Sequence, residues 1–170
     1  AQGYACLVFD FRGHGQSDDY PLPTNVGEIE AFVGVLSQDL SAALDFMKTS
    51  EEVDGNKLAL VGGSMGAMMA IAGNGYEEVK STVALSASQL GIYSIFPAME
   101  ISSAFFIAGE LDVNGQGVSF GDEATTMYNN ASEPKKLKVY EGKSAHGTDL
   151  LLESGLNEEI IDWINMTVHN

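Results

Sequence analysis

The stretch Leu58-Ala59-Leu60-Val61-Gly62-Gly63-Ser64-Met65-Gly66-Ala67-Met68-Met69-Ala70 constrains the fold of this chain more than any other. A short apolar run bounded by turn residues reads as a buried strand. It breaks into glycines around one serine, and a small-residue segment predicted to be helical follows at once. Such a serine sits on a tight strand-to-helix turn in strained backbone, with its Oγ held above the sheet. Gly62 and Gly66, two residues before and two after it, are expected to keep Cβ atoms clear of neighbouring backbone. The oxygen also lies at a helix N-terminus, where free N–H groups favour developing negative charge. G-x-S-x-G alone recurs in ordinary turns. Its weight here comes from the strand before it and the helix after it.

The rest of the chain alternates in the same way. Tyr4-Ala5-Cys6-Leu7-Val8-Phe9 is a short continuous apolar run and is predicted to be a buried strand, with Cys6 a small core residue. It leads into the glycine-rich loop Asp10-Phe11-Arg12-Gly13-His14-Gly15-Gln16-Ser17-Asp18. His14 is a candidate base, but the preferred reading is a loop histidine meeting local backbone groups, with Asp10 and Arg12 bracing the turn. From Gly27 to Met47, apolar residues at three- and four-residue steps (Ile29, Phe32, Val33, Leu36, Leu40, Leu44) predict a helix laid on a sheet. Further strands are predicted over 57–61, 81–85, 103–108 and 136–140, and helices over 65–72, 121–130 and 157–167. Residues 73–75 stop the second helix. The segment 86–101 reads as a connection too short for a lid domain. This alternation predicts an α/β fold: a doubly wound, mostly parallel sheet with helices on both faces.

In such sheets sites are built at the carboxyl ends of the strands. Ser64, Asp112 and His146 each follow a predicted strand, so all three are expected on one edge. A serine hydroxyl needs a base to take its proton. A histidine can do so, and a buried carboxylate holds its tautomer. His146 is therefore expected about 2.6–3.2 Å from both Ser64 Oγ and an Asp112 oxygen. Glu110, in the same turn as Asp112, is the rival carboxylate. Asp122 and Asp149 are weaker ones, with Asp149 expected to cap the last helical segment, and His169 at the chain end is the bland histidine.

The order Ser64, Asp112, His146, with the serine on a strand-helix turn, matches the nucleophile-elbow arrangement of the α/β-hydrolases. The chain resembles that superfamily along its length, through residues 9–17, Gly62-Gly63-Ser64-Met65-Gly66, Gly109-Glu110-Leu111-Asp112 and Ser144-Ala145-His146-Gly147. The absence of a cap insertion is similar to small esterases and dienelactone-hydrolase-like enzymes. The resemblance implies Ser64 as nucleophile, His146 as base, Asp112 as orienting acid and the Met65 backbone N–H as one oxyanion-hole donor. It also implies further strands before Asp10, one carrying a His-Gly-type loop with a second oxyanion donor and lying between the Tyr4 and Lys57 strands. Residues 1–170 are thus expected to be the C-terminal portion of a longer single domain without a cap. The alternative is direct pairing of the Tyr4 and Lys57 strands.

Composition narrows the partners. With 24 acidic and 8 basic residues, the net charge of −16 disfavours nucleic acid and anionic membrane surfaces. No apolar run reaches the 18 or so residues of a membrane span. No cofactor or metal site is expected, and the partner is a small-molecule acyl substrate. Carboxylic-ester hydrolysis through an acyl-Ser64 intermediate is the leading expectation. Thioester, lactone and peptide bonds use the same machinery, and the alternative from another class is a catalytically silent hydrolase-fold binding domain.

Overall fold

The computed structural model describes residues 3–89, 92 and 99–169. Within them lies a sheet of strands β1 (Leu58–Gly63), β2 (Val79–Leu85), β3 (Ala104–Gly109) and β4 (Lys135–Tyr140). They are parallel, in the spatial order β1-β2-β3-β4. The register puts Gly63 beside Leu85, Leu85 beside Ile107 and Gly109 beside Tyr140, so the carboxyl ends are nearly level. β2 and β3 are buried on both faces and are accordingly almost wholly apolar or small. The helices are α1 (Val26–Thr49), α2 (Met65–Ala72), α3 (Phe120–Asn130) and α4 (Leu156–Val168).

Alternation along the strands divides the core. Ala84, Phe106 and Ala108 face Ala67 and Ile71 of α2 and Phe120, Ala124 and Met127 of α3. Val83, Leu85, Phe105 and Ile107 point the other way, onto Leu156, Ile160 and Trp163 of α4. Phe32, Val33, Leu36, Leu40 and Leu44, the apolar stripe of α1, pack with Leu58 of β1 and Met69 of α2. Helices therefore cover both faces, as the alternating pattern predicts.

The N-terminal segment departs from expectation. Residues 4–9 form no strand and do not pair with β1. Tyr4, Leu7, Val8 and Phe9 are exposed, Val8 by 85%. Cys6 is exposed as well and is not a core residue. Apolarity states what a segment is able to bury, but a strand also needs a ladder partner. Among the described residues, the outer edge of β1 carries none. Much of the expected 86–101 connection lies outside the described residues.

Candidate active site

The site grows out of a repeated backbone device. The first residue after β1, Ser64, donates its N–H to Leu85 O at 2.8 Å. The first after β2, Ser86, donates to Ile107 O at 2.8 Å, and the first after β3, Glu110, to Tyr140 O at 3.0 Å. Each ladder thus runs one residue past its strand, pinning the turn while the side chain is free to point onward.

At Ser64 the chain takes φ 55° and ψ −117°, a conformation that side-chain-bearing residues rarely adopt and that costs on the order of 1–3 kcal/mol. Two glycines permit this turn. A Cβ on Gly62 would lie 2.1 Å from Gly66 O, and one on Gly63 would lie 2.8 Å from the Thr148 backbone nitrogen. Gly66 differs from the sequence expectation: a Cβ there meets nothing within 4 Å outside its own helix, and its contribution is the carbonyl that approaches Gly62. Gly63 does the work assigned to Gly66, because the loop after β4 presses on the elbow there. Met65 opens α2, so its N–H belongs to the first turn, whose donors have no intrahelical acceptor.

The loop after β4 carries His146 over the elbow. His146 Nε2 lies 2.8 Å from Ser64 Oγ, and Nδ1 lies 3.0 and 2.9 Å from Asp112 Oδ1 and Oδ2. A carboxylate only accepts, which assigns the proton to Nδ1 and leaves Nε2 to accept from the serine hydroxyl. The Asp112 side chain is 6% exposed and that of His146 40%. The Phe120 ring lies 4.7 Å from the imidazole, centroid to centroid, and restricts its tilt.

The structure separates Asp112 from its rivals. Glu110 is exposed, and its Oε2 accepts the Gly142 N–H at 2.7 Å, bracing the loop after β4. Asp122 is an exposed residue in the first turn of α3, and His169 follows α4 at the surface. Asp149 lies in a short 3-10 helix, Gly147–Leu152, and the last helix, α4, has Gly155 at its N-cap with no side-chain cap bond, so the capping role expected of Asp149 is not seen. In the N-terminal loop, Asp10 Oδ2 accepts the Gln16 N–H at 2.9 Å, and His14 Nδ1 lies 3.3 Å from Arg12 O. Arg12 pairs with Asp39 of α1 through its backbone N–H at 3.0 Å and Nε at 2.8 Å. The Asp39 hydrogen bond pushes the guanidinium further above its ordinary value.

One residue of the cluster escaped sequence reasoning. Ser86, fully buried, places its Oγ 2.7 Å from Asp112 Oδ2 and 2.9 Å from the Gly147 nitrogen. Its only sequence signal is its position directly after the predicted strand over 81–85.

A comparison with known families decides the kinship. The family described as serine aminopeptidase, S33, matches residues 1–109, which include the elbow and end three residues before Asp112. The chain belongs to this family. With it comes membership of the α/β-hydrolase superfamily, and solved structures of that superfamily share the fold. This family member is similar to the esterase Pf2001 of Pyrococcus furiosus at 20% identity and TM-score 0.67, over 98% of this chain and 72% of that one. It resembles the α/β hydrolase GrgF from Penicillium sp. sh18 at 14% identity and TM-score 0.69, over 97% and 80%. It also resembles the dienelactone hydrolase from Anabaena variabilis ATCC 29413 at 18% identity and TM-score 0.61, over 79% of this chain. The match spans 61% of the length of that dienelactone hydrolase. No curated protein sequence matches the chain. Among the described residues, no group of three or more His, Cys, Asp or Glu is placed to hold a metal ion. No helix among them is long and apolar enough to cross a membrane.

Proposed function

We propose that this S33-family chain carries the centre of a serine hydrolase that cleaves a carboxylic ester or related acyl bond. The observation that carries the reading is the position of His146, within 3 Å of both the Ser64 hydroxyl and the Asp112 carboxylate. As Ser64 Oγ attacks the substrate carbonyl carbon, its proton passes to His146 Nε2. Asp112 stabilises the imidazolium that forms. The carbonyl oxygen takes up the negative charge and faces the Met65 N–H at the start of α2. Collapse of the tetrahedral species breaks the bond to the leaving alcohol, which takes the proton from Nε2 and leaves acyl-Ser64. Water then attacks with His146 as base, releasing the carboxylic acid and restoring the serine.

Two structural neighbours are named as a dienelactone hydrolase and an esterase, which supports an oxygen ester as substrate. The family description, serine aminopeptidase, favours a second reading in which the scissile bond is a peptide bond. Fluorophosphonate labelling of the intact protein tests the mechanism, because the probe reacts with an activated serine. Labelling at Ser64 that Ser64→Ala abolishes is expected, and an unlabelled Ser64 refutes the mechanism in favour of a silent binding domain. Turnover of short acyl esters against aminoacyl amides then separates the two substrate readings.

A further inference from the structure

Ser86 is the counterpart of Ser64 one strand over. Both are the first residue after a parallel strand, and both donate their N–H to the neighbouring strand at 2.8 Å. Their φ values are 55° and 53°. They differ in where the hydroxyl goes. Ser64 Oγ faces His146, whereas Ser86 Oγ is sealed between the Asp112 carboxylate and the Gly147 backbone.

That slot needs one particular chemistry. Asp112 Oδ2 only accepts and the Gly147 N–H only donates, so the atom between them must do both; a hydroxyl can. A threonine would meet the same demand but is β-branched, which the positive φ disfavours. A non-glycine residue held at positive φ inside a packed interior persists where its surroundings over-determine it, and such residues cluster at functional sites. Here the surroundings are the two groups that decide where His146 sits: the carboxylate it donates to, and the backbone of the next residue. Gly147 itself has φ 56°, and a Cβ on it would lie 3.4 Å from the Ser64 nitrogen. A shift of that loop would therefore move the imidazole relative to Ser64 as well.

We propose that Ser86 is a positioning residue of this site, whose single hydroxyl locks the Asp112 carboxylate and the His146–Gly147 backbone into the arrangement that aims Nε2 at Ser64. The assignment rests on the serine-hydrolase reading above. Ser86 touches no reacting atom; it acts through Asp112 and His146. Removing its hydroxyl strips one donor from a buried carboxylate oxygen and leaves a buried N–H unpaired, while Ser64 and the elbow stay as they are.

The test uses the intact protein and Ser86→Ala, alone and combined with Asp112→Asn. Hydrogen bonds to a buried charged group typically contribute about 10–100-fold. A fall of that size is expected in kcat and in the rate of fluorophosphonate labelling at Ser64, with KM within about 2-fold. In the Asp112→Asn background, Ser86→Ala is expected to cost less than about 3-fold further, because residues acting as a unit are not additive. If Ser86→Ala does not fold, Ser86→Gly, which suits the positive φ, carries the same measurements. An unchanged kcat, a loss confined to KM, or a full multiplicative loss on top of Asp112→Asn overturns the assignment. Turnover that survives Ser64→Ala overturns the reading beneath it instead, so the two failures are distinct.

Discussion

Residues 10–18 hold Asp10, Arg12, His14 and two glycines, while the carboxyl edge of the sheet holds Asp112, His146, two serines and its own glycines. The residue types are nearly the same and the partnerships are not. In the loop, Asp10 is satisfied by a backbone group six residues away and His14 by one two residues away. At the sheet edge, His146 meets Ser64 across 82 residues and Asp112 across 34, and Ser86 meets Asp112 across 26 and Gly147 across 61. A polar group with local partners keeps them in almost any fold. Groups that find each other across a sheet do so only when every strand between them is in register, so their geometry reports on the whole molecule. Arg12 is the intermediate case, reaching from the loop to Asp39 on α1.

The widest separation between the two regions is expected in chemistry. Ser64→Ala should reduce ester turnover and probe labelling to background, whereas His14→Ala, at a half-buried loop histidine whose Nδ1 meets the Arg12 carbonyl, should leave both close to the level of the unaltered protein. A crippled His14→Ala enzyme would bring the loop into the mechanism and end the contrast.

The next largest effect divides two carboxylates in one turn. Asp112→Asn should lower kcat by about 10⁴, the loss seen when the analogous carboxylate of a serine triad is neutralised. Glu110→Gln should cost far less, since Glu110 accepts a backbone N–H and faces solvent. Steady-state kinetics of the pair decides it; the reverse ranking would reassign the orienting acid to Glu110.

A smaller effect belongs to the contact between the elbow and the loop after β4. The added Cβ of Gly63→Ala would lie 2.8 Å from the Thr148 nitrogen and 3.1 Å from the Gly147 carbonyl carbon. Because those atoms are backbone, the loop must move. A destabilisation of about 1–3 kcal/mol is expected in a denaturant melt, the usual range for overpacking, together with a fall in kcat. Gly66→Ala, which meets nothing within 4 Å beyond its own helix, should be the milder change, and equal losses would show that the helix start carries the strain instead.

The smallest effect concerns the N-terminal loop's tie to the fold. Burial pulls the Asp39 carboxyl upward, but the hydrogen bonds from Arg12 outweigh it and hold the group below its ordinary value. A carboxyl with a lowered folded value adds stability that is present above the ordinary aspartate range and lost as pH falls through the folded value. The melting temperature of Asp39→Asn should therefore lie below that of the unaltered protein at neutral pH, and the gap should narrow on acidification. A gap that widens toward low pH would remove Arg12–Asp39 as its source.

Much of this protein is determined by sequence pattern alone. Alternating apolar runs and amphipathic stretches place β1 to β4 and α1 to α4 within a few residues of their observed bounds, because strand and helix periodicities are local properties. The rule that sites gather at carboxyl strand ends places Ser64, Asp112 and His146 on one edge from sequence alone. Tertiary structure decided what depends on a partner. Tyr4–Phe9 is apolar enough for a buried strand, yet it joins no strand ladder among the described residues and leaves Cys6 exposed. That Asp112 and not Glu110 reaches His146 follows from which carboxylate the turn after β3 directs inward and which it leaves in solvent. Ser86 is one of many serines in the chain until φ 53° at the end of β2 turns its hydroxyl into the interior. A residue's type states which bonds it is able to make, and only the packed sheet states which groups arrive to make them.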